Sequence, residues 1–301
     1  MRTIALPGSS PPLPVIGQGT WGMGERRSQR SREVEALRLG ISLGLTLIDT
    51  AELYGGGAAE RVVGDAIADC RSQVFIVTKV WPSHAAARGV WQAVSGSLRR
   101  LRTTYVDAVL LHWPNRQIPF AKTAQAFRSL QDDGLIRHYG VSNFDASRLR
   151  AAGSADITFN QIPYSLGDRR AEHSVLPYCR DHQHILMAYS PLAHGHHRGW
   201  PGQEVLQEIA TAHGVSIPQV ALNWLVRSTN VIAIPKAVSP KHVRDNAAAG
   251  TWELTEREAE RIAAAVPPSP QELRPNLPES TAFFALALGA VRLGAALGRM
   301  R

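Results

Sequence analysis

Two rhythms of apolar and polar residues alternate along the chain. Short β-rich runs are followed by longer stretches whose apolar positions recur every three or four residues. The runs are Val15–Thr20, Thr46–Thr50, Val74–Val80, Asp107–His112, Ile136–Val141, Ile157–Gln161, Ile185–Tyr189 and Val231–Pro235. Several are too apolar to leave one face in water, as expected of strands covered on both sides. The stretches between them predict helices. Ser31–Leu43 sets Val34, Leu37 and Ile41 on one face, and Ala85–Leu101 follows Ser83 as a candidate N-cap. Phe120–Asp132, Asp145–Ala152 and Ala171–His182 continue the pattern, and Glu204–His213 and Pro218–Arg227 fall between the last two strands. Strand–helix alternation predicts a parallel α/β sheet. Eight repeats predict a closed (β/α)8 TIM barrel, where six would suit an open doubly wound sheet.

The rhythm stops at Pro267. "PPSPQELRPNLP" is an extended, proline-rich linker, and Ala282–Leu297 is apolar except for Arg292. That apolar stretch is shorter than the roughly 20 residues a membrane span needs. It is read as a docked C-terminal helix or a frayed tail in preference to a membrane contact. The expected division is residues 1–267 as the barrel and 268–301 as linker and tail.

The composition, 44% hydrophobic and 19% charged, is that of a globular protein with a large core. The formal charge is +8, but the cations are scattered. Arg26, Arg27, Arg30 and Arg32 form the densest run, read as a solvated loop and not as a nucleic-acid surface. Cys70 and Cys179 are too few for a disulfide framework, so a reducing, cytoplasmic setting is expected. The N-terminus is broken by prolines and does not read as a signal peptide. A monomer or weak oligomer is expected.

"VIGQGTWG", from Val15 to Gly22, contains G-x-G-x-x-G, the pattern of a dinucleotide-binding turn. A Rossmann turn needs a helix to start inside the motif and an acidic residue about 20 positions later. Here "MGERRSQRSRE" follows without helical periodicity, and Asp49 comes too late. The glycines are therefore assigned to the first barrel strand, with Gly19 and Thr20 at its open end, where backbone can approach a cofactor.

The stronger chemical signal begins at Asp49, which closes a strand. Tyr54 follows in a glycine-rich loop, Lys79 closes the next strand and His112 the one after. In a parallel barrel all strand C-termini open on one face, so these groups converge there. A phenol titrates near 10, too high for efficient proton donation at neutral pH, and a neighbouring ammonium lowers it. Lys79 can supply that ammonium, Asp49 its counter-charge, and His112 can orient a substrate oxygen. The set suits protonation of a carbonyl oxygen as hydride reaches carbon. A barrel hydrolase built on Asp49 and Glu52 leaves Lys79 unexplained. His194, His196 and His197 cluster in a glycine-rich loop without the rigid frame of a zinc site, so no metal is expected.

"DTAELYG", "TKVW", "LLHWP", "GVSNF", "NQIPYS", "MAYSPL" and "IPKAVSPKHVRDN" occur in that order. Over Leu13–Pro267 the chain resembles the aldo-keto reductase superfamily. The resemblance implies a (β/α)8 barrel, extended NAD(P)H and a catalytic tetrad of Asp49, Tyr54, Lys79 and His112. Tyr54 is then the general acid, and a small aldehyde or ketone the substrate. It places Ser142, Asn143 and Gln161 on the nicotinamide amide, Tyr189 against its ring, and the loop with Ser190 and Leu192 over the pyrophosphate. Lys236, Ser239, Lys241, His242 and Arg244 surround a helix start suited to the 2′-phosphate of NADPH, with NADH the alternative, and Asn246 is set on adenine. Many family members carry serine at Ala237 and arginine at His242. Trp21, Trp81 and Trp113 follow strand ends and are assigned to the substrate pocket. A non-catalytic NADPH-binding regulatory subunit, with the tail as contact element, is the competing expectation.

Overall fold

The computed structural model describes residues 1–6, 12–153, 156–268 and 270–273, with the backbone alone at 196–198. Most of the linker and all of the apolar tail lie outside the described residues.

Two short antiparallel strands open the chain, β1 (Thr3–Ile4) and β2 (Leu13–Pro14). Eight parallel strands follow in sequence order: β3 (Gln18–Gly19), β4 (Leu47–Asp49), β5 (Phe75–Val80), β6 (Val106–Leu111), β7 (Ile136–Ser142), β8 (Phe159–Pro163), β9 (Ile185–Tyr189) and β10 (Val231–Ala233). The sheet closes on itself. Ile16 bridges Ala233 in parallel, Gly17 N–H donates to Ala233 O at 2.8 Å, and Gly19 N–H to Pro235 O at 3.1 Å. A Cβ on Gly17 or on Gly19 would lie 2.7 Å from Leu47 Cδ2 or Ile234 O respectively. Gly19 therefore serves the closure of the barrel, where its backbone approaches that of Ile234 too closely for a side chain, while Gly17 makes room for the Leu47 side chain.

Among the described residues ten α-helices surround the barrel: α1 (Arg30–Ser42), α2 (Ala58–Ala66), α3 (Ala87–Leu101), α4 (Phe120–Asp132), α5 (Ala146–Ala152), α6 (Val175–Asp181), α7 (Gln203–Ala212), α8 (Ile217–Leu225), α9 (Pro240–Ala249) and α10 (Glu256–Ala265). Ser83 does not cap α3. Pro82–His84 forms a separate 3₁₀ turn and Ala86 takes the cap position. The stretch expected as one helix from Ala171 to His182 is a 3₁₀ turn, Arg170–His173, followed by α6. α2 and α10 were not expected, nor was the β1–β2 hairpin.

The core has two layers, set by the period of two along each strand. Leu47, Phe75, Val77, Ala108, Leu110, Phe159, Ile185, Met187, Ile232 and Ile234 pack together inside the barrel, with Leu6 and Leu13 of the opening hairpin. Ile48, Ile76, Val109, Leu111 and Val141 pack outward with the helices. Burial on both faces explains the near-continuous apolar runs.

Candidate active site

The inward rows of the barrel can be followed towards the C-terminal ends of the strands. After Leu47 comes Asp49; after Phe75 and Val77, Lys79; after Ala108 and Leu110, His112. After Phe159 comes Gln161, after Ile185 and Met187 comes Tyr189, and Gly140 is followed by Ser142. One parity thus changes from apolar packing to polar groups at a common height, which is why side chains far apart in sequence meet.

Lys79 is the hub. Its Nζ donates to Asp49 Oδ1 (2.7 Å) and Oδ2 (2.8 Å), to Thr50 O (2.9 Å) and to the Tyr54 hydroxyl oxygen (2.9 Å). An ammonium has three protons, and this surrounding uses all of them. Because Tyr54 accepts from Lys79, its own O–H is left to point elsewhere. Gln161 Nε2 donates to Asp49 Oδ1 at 2.7 Å, and Thr20 Oγ1 to Asp49 O at 2.9 Å. Asp49 and Lys79 are both almost completely buried, at 2% and 1% exposure. A charged pair tolerates such burial only with this degree of hydrogen bonding.

Burial raises the Asp49 carboxyl above its ordinary value, and Lys79 and Gln161 pull it back. Burial lowers Lys79, opposed by Asp49 and Glu60. Burial also pushes the Tyr54 phenol well above 10, helped by the charge of Asp49 and by Tyr189. The expected lowering of Tyr54 by Lys79 is thus outweighed in the resting pocket, and Tyr54 keeps its proton. His112 is held well below 6.5 by burial and by the Lys79 charge, so its imidazole is neutral. The His112 ring meets Tyr54 edge-on at 5.7 Å between centroids and Trp81 at 5.3 Å.

These groups form the floor of a cavity of about 910 Å³. Asp49, Tyr54 and His112 line it. Ser142, Asn143, Gln161 and Tyr189 line it from β7 to β9, Ser190 and Leu192 from the loop after β9, and Lys236, His242 and Asn246 from the segment after β10, with Gly19 and Trp21 across the barrel seam from Lys236. Trp21 is 59% exposed, and its indole meets Tyr54 edge-on at 5.1 Å. The wall is tightly wired. Asn143 Nδ2 donates to His112 O and Ser142 Oγ, Ser142 Oγ to Gln161 O, and Tyr189 OH to Asn143 Oδ1, all at 2.9–3.0 Å. Asn143 holds φ at +63°, a left-handed conformation that asparagine tolerates better than most residues.

Six assigned residues do not line the cavity, Lys79 among them, since it lies buried beneath Asp49 and Tyr54. Thr20 is fully buried and turned to the Asp49 backbone. Trp81 is buried behind His112, and Trp113, one residue past His112, has the opposite parity. Ser239 takes the N-cap position of α9 without a capping hydrogen bond, and Arg244 is exposed further along that helix. Residues not assigned beforehand also line the cavity, among them Gly22, Pro191, His194, Ser216 and Asp245, while Lys241, expected at the start of α9, lines it too. His194 could be anticipated from its loop: it is held by Ser190 Oγ at 3.0 Å. Ser216 and Pro218 come from the start of α8, and no local signal marked them. The Glu52 carboxylate, the second group of the hydrolase idea, is taken up by Trp81 N–H (2.7 Å) and His84 (2.9 Å). Among the described residues no group of three or more His, Cys, Asp or Glu could hold a metal, and no helix is long and apolar enough to cross a membrane.

The chain was compared with known proteins. The aldo/keto reductase family model matches residues 15–267. Methylglyoxal reductase YeaE of Escherichia coli (strain K12) is 45% identical over 261 residues, which cover 85% of this chain and 92% of that protein. An aldo/keto reductase from Klebsiella pneumoniae, solved in complex with NADP and acetate, superposes with a TM-score of 0.86 at 41% identity, over 91% of this chain and 99% of that one. An aldo-keto reductase from Klebsiella pneumoniae solved with NADPH gives 0.85 at 41% identity, over 92% and 100%.

Proposed function

The chain belongs to the aldo/keto reductase family and is an oxidoreductase, and from that premise we propose that it reduces small aldehydes and ketones with NADPH. One observation carries the reading: Tyr54 accepts a hydrogen bond from the buried, Asp49-paired Lys79 at the floor of a large cavity, which leaves the phenol proton free to be donated there.

The residues present fit the cofactor. Ser142 and the Asn143 amide nitrogen spend their donors inside the protein, so acceptors remain at the wall: Gln161 Oε1 and a second lone pair on Asn143 Oδ1. Acceptors are what a carboxamide NH₂ needs. Tyr189, fixed by Asn143, offers a flat face beside them. Lys236 and Lys241, the latter also paired with Asp245 at 2.7 Å, bring positive charge to the start of α9, where unpaired backbone N–H groups favour anions, and with the His242 ring beside them would hold phosphate. The Asn246 amide, which makes no hydrogen bond among the described residues, would meet the adenine. NADPH, when bound, supplies the hydride.

The chain's own groups then account for the proton. His112, neutral and at the cavity floor, donates a hydrogen bond to the carbonyl oxygen and orients it. Tyr54 gives its proton to that oxygen as negative charge develops there. The phenolate left behind is stabilised by the Lys79 ammonium at 2.9 Å, and Asp49 keeps that ammonium charged. The raised resting value of Tyr54 helps here, since the proton is retained until a stronger base forms.

The name of the Escherichia coli relative favours methylglyoxal-like dicarbonyls within this class. NADPH oxidation with methylglyoxal and a panel of simple aldehydes tests the reading. Tyr54→Phe is expected to lower kcat by about 10²–10⁴-fold with the fold unchanged. Turnover that is the same with and without the Tyr54 hydroxyl would overturn it.

A further inference from the structure

A second cavity, of about 430 Å³, opens on the flank of the barrel. Five arginines line it: Arg30 at the start of α1, Arg61 on α2, Arg99 and Arg100 near the end of α3, and Arg102 just beyond. Gly56 and Gly96 complete the lining, and a Cβ on Gly56 would meet nothing within 4 Å. The groove is therefore open at Gly56, while at Gly96 the missing side chain leaves room for the Arg100 guanidinium, whose Nη1 would lie 3.0 Å from a Cβ.

The neighbouring carboxylates do not neutralise it. Asp65 serves both Arg30, at 2.8 Å to Nε, and Arg102. Glu60, buried, accepts from Arg100 Nε on one oxygen and from Thr78 Oγ1, at 2.7 Å, on the other. Arg61 and Arg99 are exposed and make no ion pair among the described residues. Five cations face two anions, so the groove carries a net charge of +3. The paired arginines also keep donors in reserve. Arg30 and Arg100 each engage Nε and Nη2 and leave Nη1, while Arg102 engages Nη2 alone. Like charges held this close repel unless an anion lies between them. A recess many times the size of one phosphate, lined by guanidinium forks from three helices, matches several linked phosphates better than a single one.

We propose that this groove is an anion site for a compact phosphoanhydride, a short polyphosphate chain or the diphosphate of a nucleotide. It is separate from the cavity floored by Tyr54, since the two share no lining residue. The site does not depend on the carbonyl-reduction reading. Arg61 and Arg99 are the residues to test, because neither holds another part of the fold. Arg100 is unsuitable, as it satisfies Glu60.

The test is titration calorimetry of the full chain with tripolyphosphate and, separately, with ADP. The Lys236→Gln/Lys241→Gln variant removes the cations of the large cavity, so heat that remains comes from elsewhere. One-to-one binding of either probe is expected in that variant, and in the wild type the same event is accompanied by any binding in the large cavity. In Arg61→Gln/Arg99→Gln it is expected to weaken by about 100-fold, tenfold for each charge-assisted contact. The tighter probe identifies the source, free chain or nucleotide. Arg61→Lys/Arg99→Lys keeps the charge, loses the forks and should bind with intermediate affinity, which covers the case in which the glutamine pair folds poorly. No binding in Lys236→Gln/Lys241→Gln, or equal binding in Arg61→Gln/Arg99→Gln and wild type, would overturn the proposal.

Discussion

Lys79→Met removes one half of the ion pair that organises the pocket. Asp49 then keeps only the Gln161 amide, at 2.7 Å, as a side-chain partner in a site 2% exposed. A buried carboxylate without its counter-charge can stay ionised, which costs about 3–5 kcal/mol, or take up a proton. Protonation sets a ceiling. An aspartate in the unfolded chain titrates at about 3.9, so keeping it protonated in the fold costs about 1.4 kcal/mol per pH unit above that. The ceiling is about 3 kcal/mol at pH 6, about 4 at pH 7 and about 5.6 at pH 8. Burial already raises Asp49 with Lys79 in place, so its loss pushes the carboxyl further the same way. The folded variant then binds one proton more than the unfolded chain, and its stability falls as pH rises. Urea unfolding of wild type and variant at the two ends of that pH range measures the difference, which should widen by up to about 2.7 kcal/mol between them. Asp49→Leu/Lys79→Met removes both charges and should recover most of the loss while remaining inactive. A Lys79→Met protein within about 1 kcal/mol of wild type throughout, or one that loses more at low pH, would refute an ionised buried pair.

Other outcomes follow from the same geometry. Since His112 is neutral and Tyr54 protonated, kcat/KM should be flat from about pH 6 to 8, and a limb centred near 6.5 would place an imidazolium in the mechanism. Replacing Lys236 and His242 together by Gln should raise KM for NADPH by about tenfold or more and leave KM for NADH nearly unchanged. Equal effects on both cofactors would move the 2′-phosphate away from α9. Asp107, buried on β6, accepts from Arg71 (2.8 Å), Arg137 (3.1 Å) and Ile76 N–H (2.9 Å). Asp107→Leu should cost about 3–5 kcal/mol in denaturant unfolding, with the folded enzyme keeping its kcat, because the residue lies at the strand end away from His112.

The pattern of apolar runs was enough to place the eight barrel strands, because burial on both faces writes a strong signal over short segments. What it did not show has local physical reasons. β1 and β2 are two residues each, too short for any periodicity. α2 reads as small residues around Glu60 and Arg61, and its apolar face, Ala59, Val62, Val63 and Ala66, emerges only once a helix is assumed. α10 did carry a usable signal. Thr255 and Glu258 form a capping box, visible as T-x-x-E ahead of an alternating charged and apolar stretch.

The site was legible for a reason that also explains its misplaced members. Asp49, Lys79, His112, Ser142, Gln161, Tyr189 and Lys236 all continue the inward parity of a strand. The parity is fixed by the apolar residues before them, so the side that packs the barrel also aims the chemistry. Thr20 and Trp113 are each one residue out of that parity, and proximity in sequence to a motif residue gave no warning. Ser190 shows that the rule is broken by backbone strain as well. It follows Tyr189 and should point outward, yet φ of +49° turns it to the cavity, where it holds His194. Residues from helix starts, Ser216, Pro218 and Lys241, obey no strand parity at all. They reach the cavity because α8 and α9 begin above the barrel mouth, a placement set by loop length and closure. Asp49, Lys79 and His112, at and beneath the cavity floor, can therefore be read from strand periodicity, while Tyr54, in the turn after β4, and the upper walls depend on how the loops and helix starts close over them.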